Sequence, residues 1–228
     1  MHFIIIGIII FAVIFGPQFW AKRTFARYSK TQDHFPGTGG ELARHLLNKA
    51  NLNDINLEET EIGDHYDPLS KTVRLSAENF NGKSLTAISV AAHEVGHAIQ
   101  DAQNHPLLKL RTRLIKTAQI AEKIGSAAII AAPIVTMITR APAAGAFFFM
   151  IGIGSMFVGT LVHLVTLPVE WDASFGKALP MLKAGEYISE KEIQGAEKIL
   201  KAAALTYVAG SLASLLNLWR WIAILRRR

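Results

Sequence analysis

Apolar residues along this chain are clumped rather than evenly spread. Residues 3–16 (FIIIGIIIFAVIFG), 124–139, 141–169 and 202–219 are nearly all apolar. A bilayer span needs about 20 such residues, with a workable range of roughly 17–25. Runs this long and uninterrupted do not suit the core of a small soluble domain. The pattern predicts a first transmembrane helix over 3–20, with Pro17 near its end and Trp20 as a headgroup-level anchor. A second span is expected over about 120–139, kinked at Pro133, and a third over about 143–167. Pro168 is placed at the first position of a new helix, 169–182. The fourth apolar segment covers about 202–225.

Polar positions concentrate between 21 and 118. FPGTGG (35–40) reads as a turn, and ELARHLLNKAN after it as a helix with Leu42, Leu46 and Leu47 on one face. Residues 54–76 look extended or looped, and Gly63 and Asp67-Pro68 make GDHYDP a turn. KTVRLS (71–76) alternates as a short edge strand with Val73 and Leu75 on one face. Asn81-Gly82 breaks the chain, and a helix runs from about Leu85 to Gln100 with Ser84 as N-cap. A basic amphipathic stretch, 107–118, leads into the second span.

Charge orients this arrangement. The net charge is +6, but the cations flank apolar runs (Lys22, Arg23, Arg27, Lys30; Lys109 to Lys116; Arg226 to Arg228), as membrane topology requires and a nucleic-acid footprint does not. Of 24 Lys and Arg, nineteen lie in 21–123 or 177–201. Because positive loops stay inside, both polar regions are expected in the cytoplasm. The charges follow the first apolar run instead of preceding it, which reads as an uncleaved anchor with its N-terminus outside. Arg220 and the tail Arg226 to Arg228 fit a full final span poorly, so that segment is open between a partial span and a surface helix. The absence of cysteine excludes disulfides, thiolate metal sites and a cysteine nucleophile.

The chemistry lies in AAHEVGHAIQ, 91–100. Histidines four apart on a helix are about 40° apart around its axis. His93 and His97 can therefore share one Zn²⁺ at about 2.0–2.1 Å. Glu94 sits beside the site as a general base, the H-E-x-x-H arrangement of zinc proteases. Apolar flanks would bury both histidines, and buried imidazoles need partners. Gly96 leaves room for another element to come close. A catalytic zinc takes three protein ligands and one open position. Positions 100 and 103 are Gln, so the third ligand must come from further along. PVEWDAS (168–174) offers Glu170 and Asp172, against Glu186, Glu190, Glu192 and Glu197 on a solvated, charge-mixed segment. Glu170, where the third span emerges between Val169 and Trp171, is preferred; Asp172 reads as a capping or supporting group.

The chain resembles the YugP-type membrane zinc metallopeptidases along nearly its whole length. The motifs carrying the likeness are DHYDP (64–68), VRLS (73–76), HEVGHAIQ (93–100), LKLR (108–111), TLPVEWDAS (166–174) and AAALTYVA (202–209). The resemblance implies a membrane zinc peptidase with His93, Glu94 and His97 as its motif positions. A looser likeness is to HtpX-type membrane proteases, whose E-[YF]-x-A-D motif supplies a glutamate ligand. Glu170 to Ser174 departs from it at Ser174, where the pattern has an Asp that orients a metal histidine; Ser174 could do so only weakly.

The expected fold is a mainly α membrane protein, with about four transmembrane or membrane-associated helices and a small cytoplasmic zincin-like metal domain carrying a short strand. Its divisions are an anchor (1–20), a metallopeptidase region (21–118), two transmembrane helices (119–167), a third-ligand helix with a polar segment (168–201), and a membrane segment with a basic tail (202–228). The expected activity is that of a zinc endopeptidase, multi-pass in the cell membrane and facing the cytoplasm, with one Zn²⁺ per chain. Its partners are the lipid bilayer and a peptide or membrane-protein substrate, with no nucleic acid. The alternatives are an inactive metal-binding scaffold and an ion transporter. Val73, Arg74 and Leu75 are candidates to bind substrate by strand addition, and His65, Tyr66 and Tyr207 to stabilise the oxyanion.

Overall fold

The computed structural model describes residues 2–226. The chain divides into two compact units, one of residues up to Leu108 with Leu167–Ala209, the other of Lys109–Thr166 with the described residues from Gly210 onward. Helices α1 (His2–Tyr28), α2 (Gly39–Lys49), α3 (Ala77–Phe80) and α4 (Leu85–Ala102) alternate with three strands, β1 (Asn56–Thr60), β2 (His65–Asp67) and β3 (Thr72–Ser76). After them come α5 (Pro106–Thr139), α6 (Pro142–Trp171), a π-helical segment (Asp172–Ala178), α7 (Leu179–Ala184) and α8 (Glu190–Arg226).

Helix α4 is the axis of the first unit. The end of α1, α2, α3, the sheet, the π-helical segment and α7 all pack on it. Fourteen of its 18 residues are buried as a result, far more than the single face of an ordinary surface helix. Ser84 caps it by accepting from the Ala87 N–H at 3.1 Å. Helix α2 starts on a reciprocal capping box: Thr38 Oγ1 accepts from the Glu41 N–H (3.2 Å), and Glu41 Oε2 from the Thr38 N–H (2.8 Å). Its buried stripe of Leu42, Ala43, Leu46 and Leu47 joins Ile88, Ala91, Ala92 and Val95 of α4 in one core.

The sheet runs in the order β1-β3-β2, with β1 parallel and β2 antiparallel to β3. Strand β3 was expected at an edge and lies in the middle. Both of its sides are occupied, Val73 and Leu75 are fully buried, and Arg74 pairs with Glu58 (3.0 Å) and Asp67 (3.4 Å). Substrate addition to Val73, Arg74 and Leu75 is therefore corrected: these residues build the core and the sheet. The DHYDP turn also contains strand β2. Asp64 accepts from the Ser76 N–H (2.7 Å), Ser76 Oγ (3.0 Å) and Asn79 Nδ2 (2.8 Å). Asp67 accepts from the Leu69 N–H and Ser70 Oγ, so an aspartate fastens each end of this short strand.

Three helices are longer than their apolar runs. The basic stretch and second span form one helix, α5; the charged segment and fourth apolar run form another, α8. Pro168, expected to start a helix, lies inside α6. Proline removes one N–H and crowds the carbonyl four residues earlier, here that of Leu164. The turn beyond it is held from outside: the Val169 carbonyl accepts from Gln100, and Ala173 and Ala178 are fully buried.

In the second unit, α5 and α6 meet through small residues. A methyl group on Gly125 would collide with Ser155, one on Gly145 with Thr136, and one on Gly152 with Ile129. Close approach over small residues is how helices associate where no hydrophobic force separates them from their solvent. Among the described residues, two helical stretches are long and apolar enough to cross a membrane, Pro106–Thr139 and Pro142–Ala184. Only 17% of each apolar window is buried, so neither resembles the core helix of a soluble protein. Ile120, Ile130, Met137, Ile138 and Phe147 all stand exposed. The side chains of most of the first apolar run and the end of the last one, Arg220 included, lie outside the described residues, as do Arg227 and Arg228.

Candidate metal centre

His93 and His97 project from one face of α4 with ring centroids 4.8 Å apart and planes at 80°. Both present Nε2 to the same atom, Glu170 Oε2, at 3.1 Å and 3.3 Å. Glu170 comes from the last turn of α6, beyond the apolar stretch 143–167 and 77 residues after His93. Its ligand oxygen and the two nitrogens lie within 4.8 Å of one another, and all three residues are buried. Glu94, 6% exposed, follows His93 directly.

The approach of α6 depends on Gly96. A methyl group there would stand 2.8 Å from the Ala173 carbonyl oxygen and 3.3 Å from Lys177 Cβ, and a backbone carbonyl has no free torsion by which to retreat. The π-helical segment faces α4 at this point, with Ala173 and Ser174 fully buried. Such wider turns recur at functional sites. Here one holds Glu170 on the Nε2 side of His93 and Ser174 Oγ on its Nδ1 side, 3.1 Å away.

Gln100 decides the chemistry of the centre. Its Nε2 donates to the Val169 carbonyl (2.9 Å) and to Asp172 Oδ2 (2.8 Å), so its Oε1 is the end that faces His97 Nδ1 at 2.9 Å. An amide oxygen only accepts, so Nδ1 of His97 carries a proton and Nε2 is the ring nitrogen turned to Glu170. A carboxylate oxygen only accepts, so the position between it and the two Nε2 atoms suits a positive charge, a proton or a metal ion. The donor set, two imidazole nitrogens and one carboxylate oxygen, suits Zn²⁺. Burial works against an ionised Glu170, but positive charge at His97 and hydrogen bonds from both histidines, as protonated rings provide, outweigh it and hold the carboxyl well below the ordinary carboxylate range.

Other sequence candidates have different duties. Tyr66 is packed into the core and gives its hydroxyl proton to Asp101 Oδ2 at 2.7 Å, an oxygen shared with Lys71 Nζ at 2.5 Å. Burial and that carboxylate both push the phenol pKa up. As an oxyanion donor Tyr66 is therefore corrected to a structural anchor of β2 on α4. His65 holds the preceding turn, its Nδ1 2.8 Å from the Gly63 carbonyl, where Gly63 has a φ of 95°. Tyr207 lies half-buried on α8 in the same unit. Asp172, weighed as a ligand, contacts Gln100 instead. In the sequence Gln100 stands out only as the residue at the glycine position of the extended H-E-x-x-H-x-x-G-x-x-H pattern, whose third-histidine position is taken by Gln103.

Two histidines four apart on one helix, joined by a glutamate from a later helix, define the class: a buried group of three side chains that could hold a metal ion, with an acid beside it. The chain belongs to the family described as "putative neutral zinc metallopeptidase", whose profile matches residues 3–226. It is 35% identical to "Putative membrane protease YugP" of Bacillus subtilis (strain 168), over 228 residues that cover 98% of this chain and 96% of that relative. No solved structure matches it.

Proposed function

We propose that this protein is a membrane-embedded zinc endopeptidase with one Zn²⁺ per chain, held by His93, His97 and Glu170, and with Glu94 as general base. The observation that carries the reading is the buried convergence of two imidazole Nε2 atoms on one oxygen of Glu170. Zinc in that position supplies Lewis acidity that polarises the scissile carbonyl and lets water attack near neutral pH. The carboxylate of Glu94 takes the proton of the attacking water and returns it to the leaving amine. Burial of Glu94 keeps bulk water from competing for that proton. Tyr207 remains the candidate for the oxyanion.

A cavity of about 670 Å³ is lined by Phe25, Asp64, Ser76, Lys83, Thr86 and Val90 among others. Thr86 and Val90 continue the α4 stripe that carries His93 and His97. An extended peptide in this cavity would lead onto the metal face. The mixed polar and apolar walls, and Lys22 at the end of the apolar part of α1, favour a segment emerging from the inner leaflet.

The exposed apolar faces of α5 and α6 support the membrane reading. With α1 and α8 they make about four membrane segments, and the distribution of Lys and Arg favours a cytoplasmic centre in the cell membrane. The chain has no native cysteine, so single introduced cysteines report topology cleanly. One at Lys83 should resist an impermeant thiol reagent in intact cells and one at Arg140 should react; the reverse pattern reverses the orientation. For the activity, purified chain should carry one zinc and cleave an unfolded membrane protein, and Glu94→Gln should keep the zinc and lose cleavage. Zinc bound without cleavage by the wild type would identify a metal-binding scaffold, and zinc flux into proteoliposomes without cleavage a transporter.

A further inference from the structure

We infer that Gln100 is a positioning residue that relays the charge of Asp172 to His97, a carboxylate–amide–histidine chain in place of a carboxylate bonded directly to the ring. The inference rests on the zinc reading of the cluster. Metal-binding histidines nearly always donate their second ring N–H to an acceptor, which sets the tautomer and raises the basicity of the ligand nitrogen. For His97 the acceptor is the neutral amide oxygen of Gln100, at 2.9 Å. That amide is itself polarised, since its Nε2 donates to the Asp172 carboxylate at 2.8 Å. Bonds aligned head to tail in a buried site strengthen one another.

Three features favour a specific device over a chance contact. Gln100 is fully buried and both ends of its amide are bonded, so the carbonyl and NH₂ cannot exchange places without facing like with like. The second NH₂ bond reaches the Val169 carbonyl, next to the ligand Glu170, so one side chain fixes the orientation of one ligand and the backbone register of another. The two histidines are also unequal. His93 has only the Ser174 hydroxyl at its Nδ1, with no carboxylate behind it among the described contacts. The relay makes His97 the more strongly polarised ligand.

The test uses the full-length chain in detergent, with zinc affinity measured by chelator competition and the site symmetry read from the visible spectrum of the Co²⁺ form. Gln100→Leu should weaken zinc binding about 10- to 100-fold, the usual cost of losing such a partner, and alter the cobalt spectrum. Asp172→Asn, which keeps size and an acceptor, should weaken it several-fold. The double variant should be no weaker than Gln100→Leu alone, because Asp172 reaches the histidine only through the amide. Should Gln100→Leu fail to fold, Asp172→Asn carries the test. Wild-type affinity and spectrum in Asp172→Asn, or single losses that multiply in the double variant, would overturn the relay. If wild-type chain bound no zinc at all, the metal reading itself would fall, and that outcome is distinct from a relay that fails in a zinc-binding protein.

Discussion

The two units of this molecule bury different things. In the first, α4 is wrapped on all sides and carries polar groups into the interior: His93, Glu94, His97 and Gln100 are buried beside Ala91, Ala92 and Val95. In the second, α5 and α6 leave many of their large apolar residues exposed and approach closely at Gly125, Gly145 and Gly152. A protein facing water drives its apolar atoms inward and must then satisfy every polar group it traps. On the proposed membrane reading, the pair in the second unit would face lipid, where hiding leucines gains nothing and close packing at small residues does the joining. The difference teaches where substitutions should act: in the first unit on the proposed metal centre, in the second on helix association alone.

The largest effect should come from Glu94→Gln, which should lower kcat by about 10²–10⁴ with zinc content unchanged, as loss of a general base does. A variant with wild-type turnover would refute the mechanism. Stripping the metal should come next. At zinc about 100-fold above its Kd, binding contributes about 2.7 kcal/mol to stability; a chelator should therefore lower the melting temperature of the wild type but not of Glu170→Ala. Gly96→Ala is expected to cost about 1–3 kcal/mol by overpacking against the Ala173 carbonyl, and to weaken zinc binding because Glu170 is pushed back with its helix. Gly125→Leu, which collides with Ser155 in the other unit, should leave zinc affinity untouched. Zinc loss in Gly125→Leu would break the contrast between the units.

The smallest effect is one of pH. Burial raises the Asp67 carboxyl pKa, but bonds from Ser70, the Leu69 N–H and Arg74 outweigh it and hold the group below its usual range. A depressed folded-state pKa gives stability that is present above the ordinary carboxylate value and lost as pH falls through the lowered one. Asp67→Asn should flatten the acid limb of the melting curve against pH; an unchanged limb would show that the turn does not depend on this charge.

Much of the first unit is legible in its residues. The H-E-x-x-H spacing is a helical period, so it reads directly as a shared face, and Glu170 stands out as an acid where an apolar run ends. Residues whose roles depend on partners far along the chain are harder to read. Strand β1, NLEET, has exposed acids and no clean alternation, and it is a strand because β3 pairs with it. Tyr66, between Gly63 and Pro68, reads as part of a turn until Asp101 supplies its partner. Pro168 reads as a helix start because the bond that steadies the next turn comes from Gln100, 69 residues before Val169. Gln100 itself is one polar residue at the end of an apolar helix, and nothing local marks it.

The ligands of the proposed centre are separated by the hairpin of α5 and α6. His93 and His97 leave the ribosome first, and Glu170 follows only after both apolar helices have been made. A chain ending before Glu170 holds only two of the three proposed ligands. If the proposed function holds, full assembly of the centre waits until the hairpin has been synthesised, which would delay activity during the protein's own biogenesis.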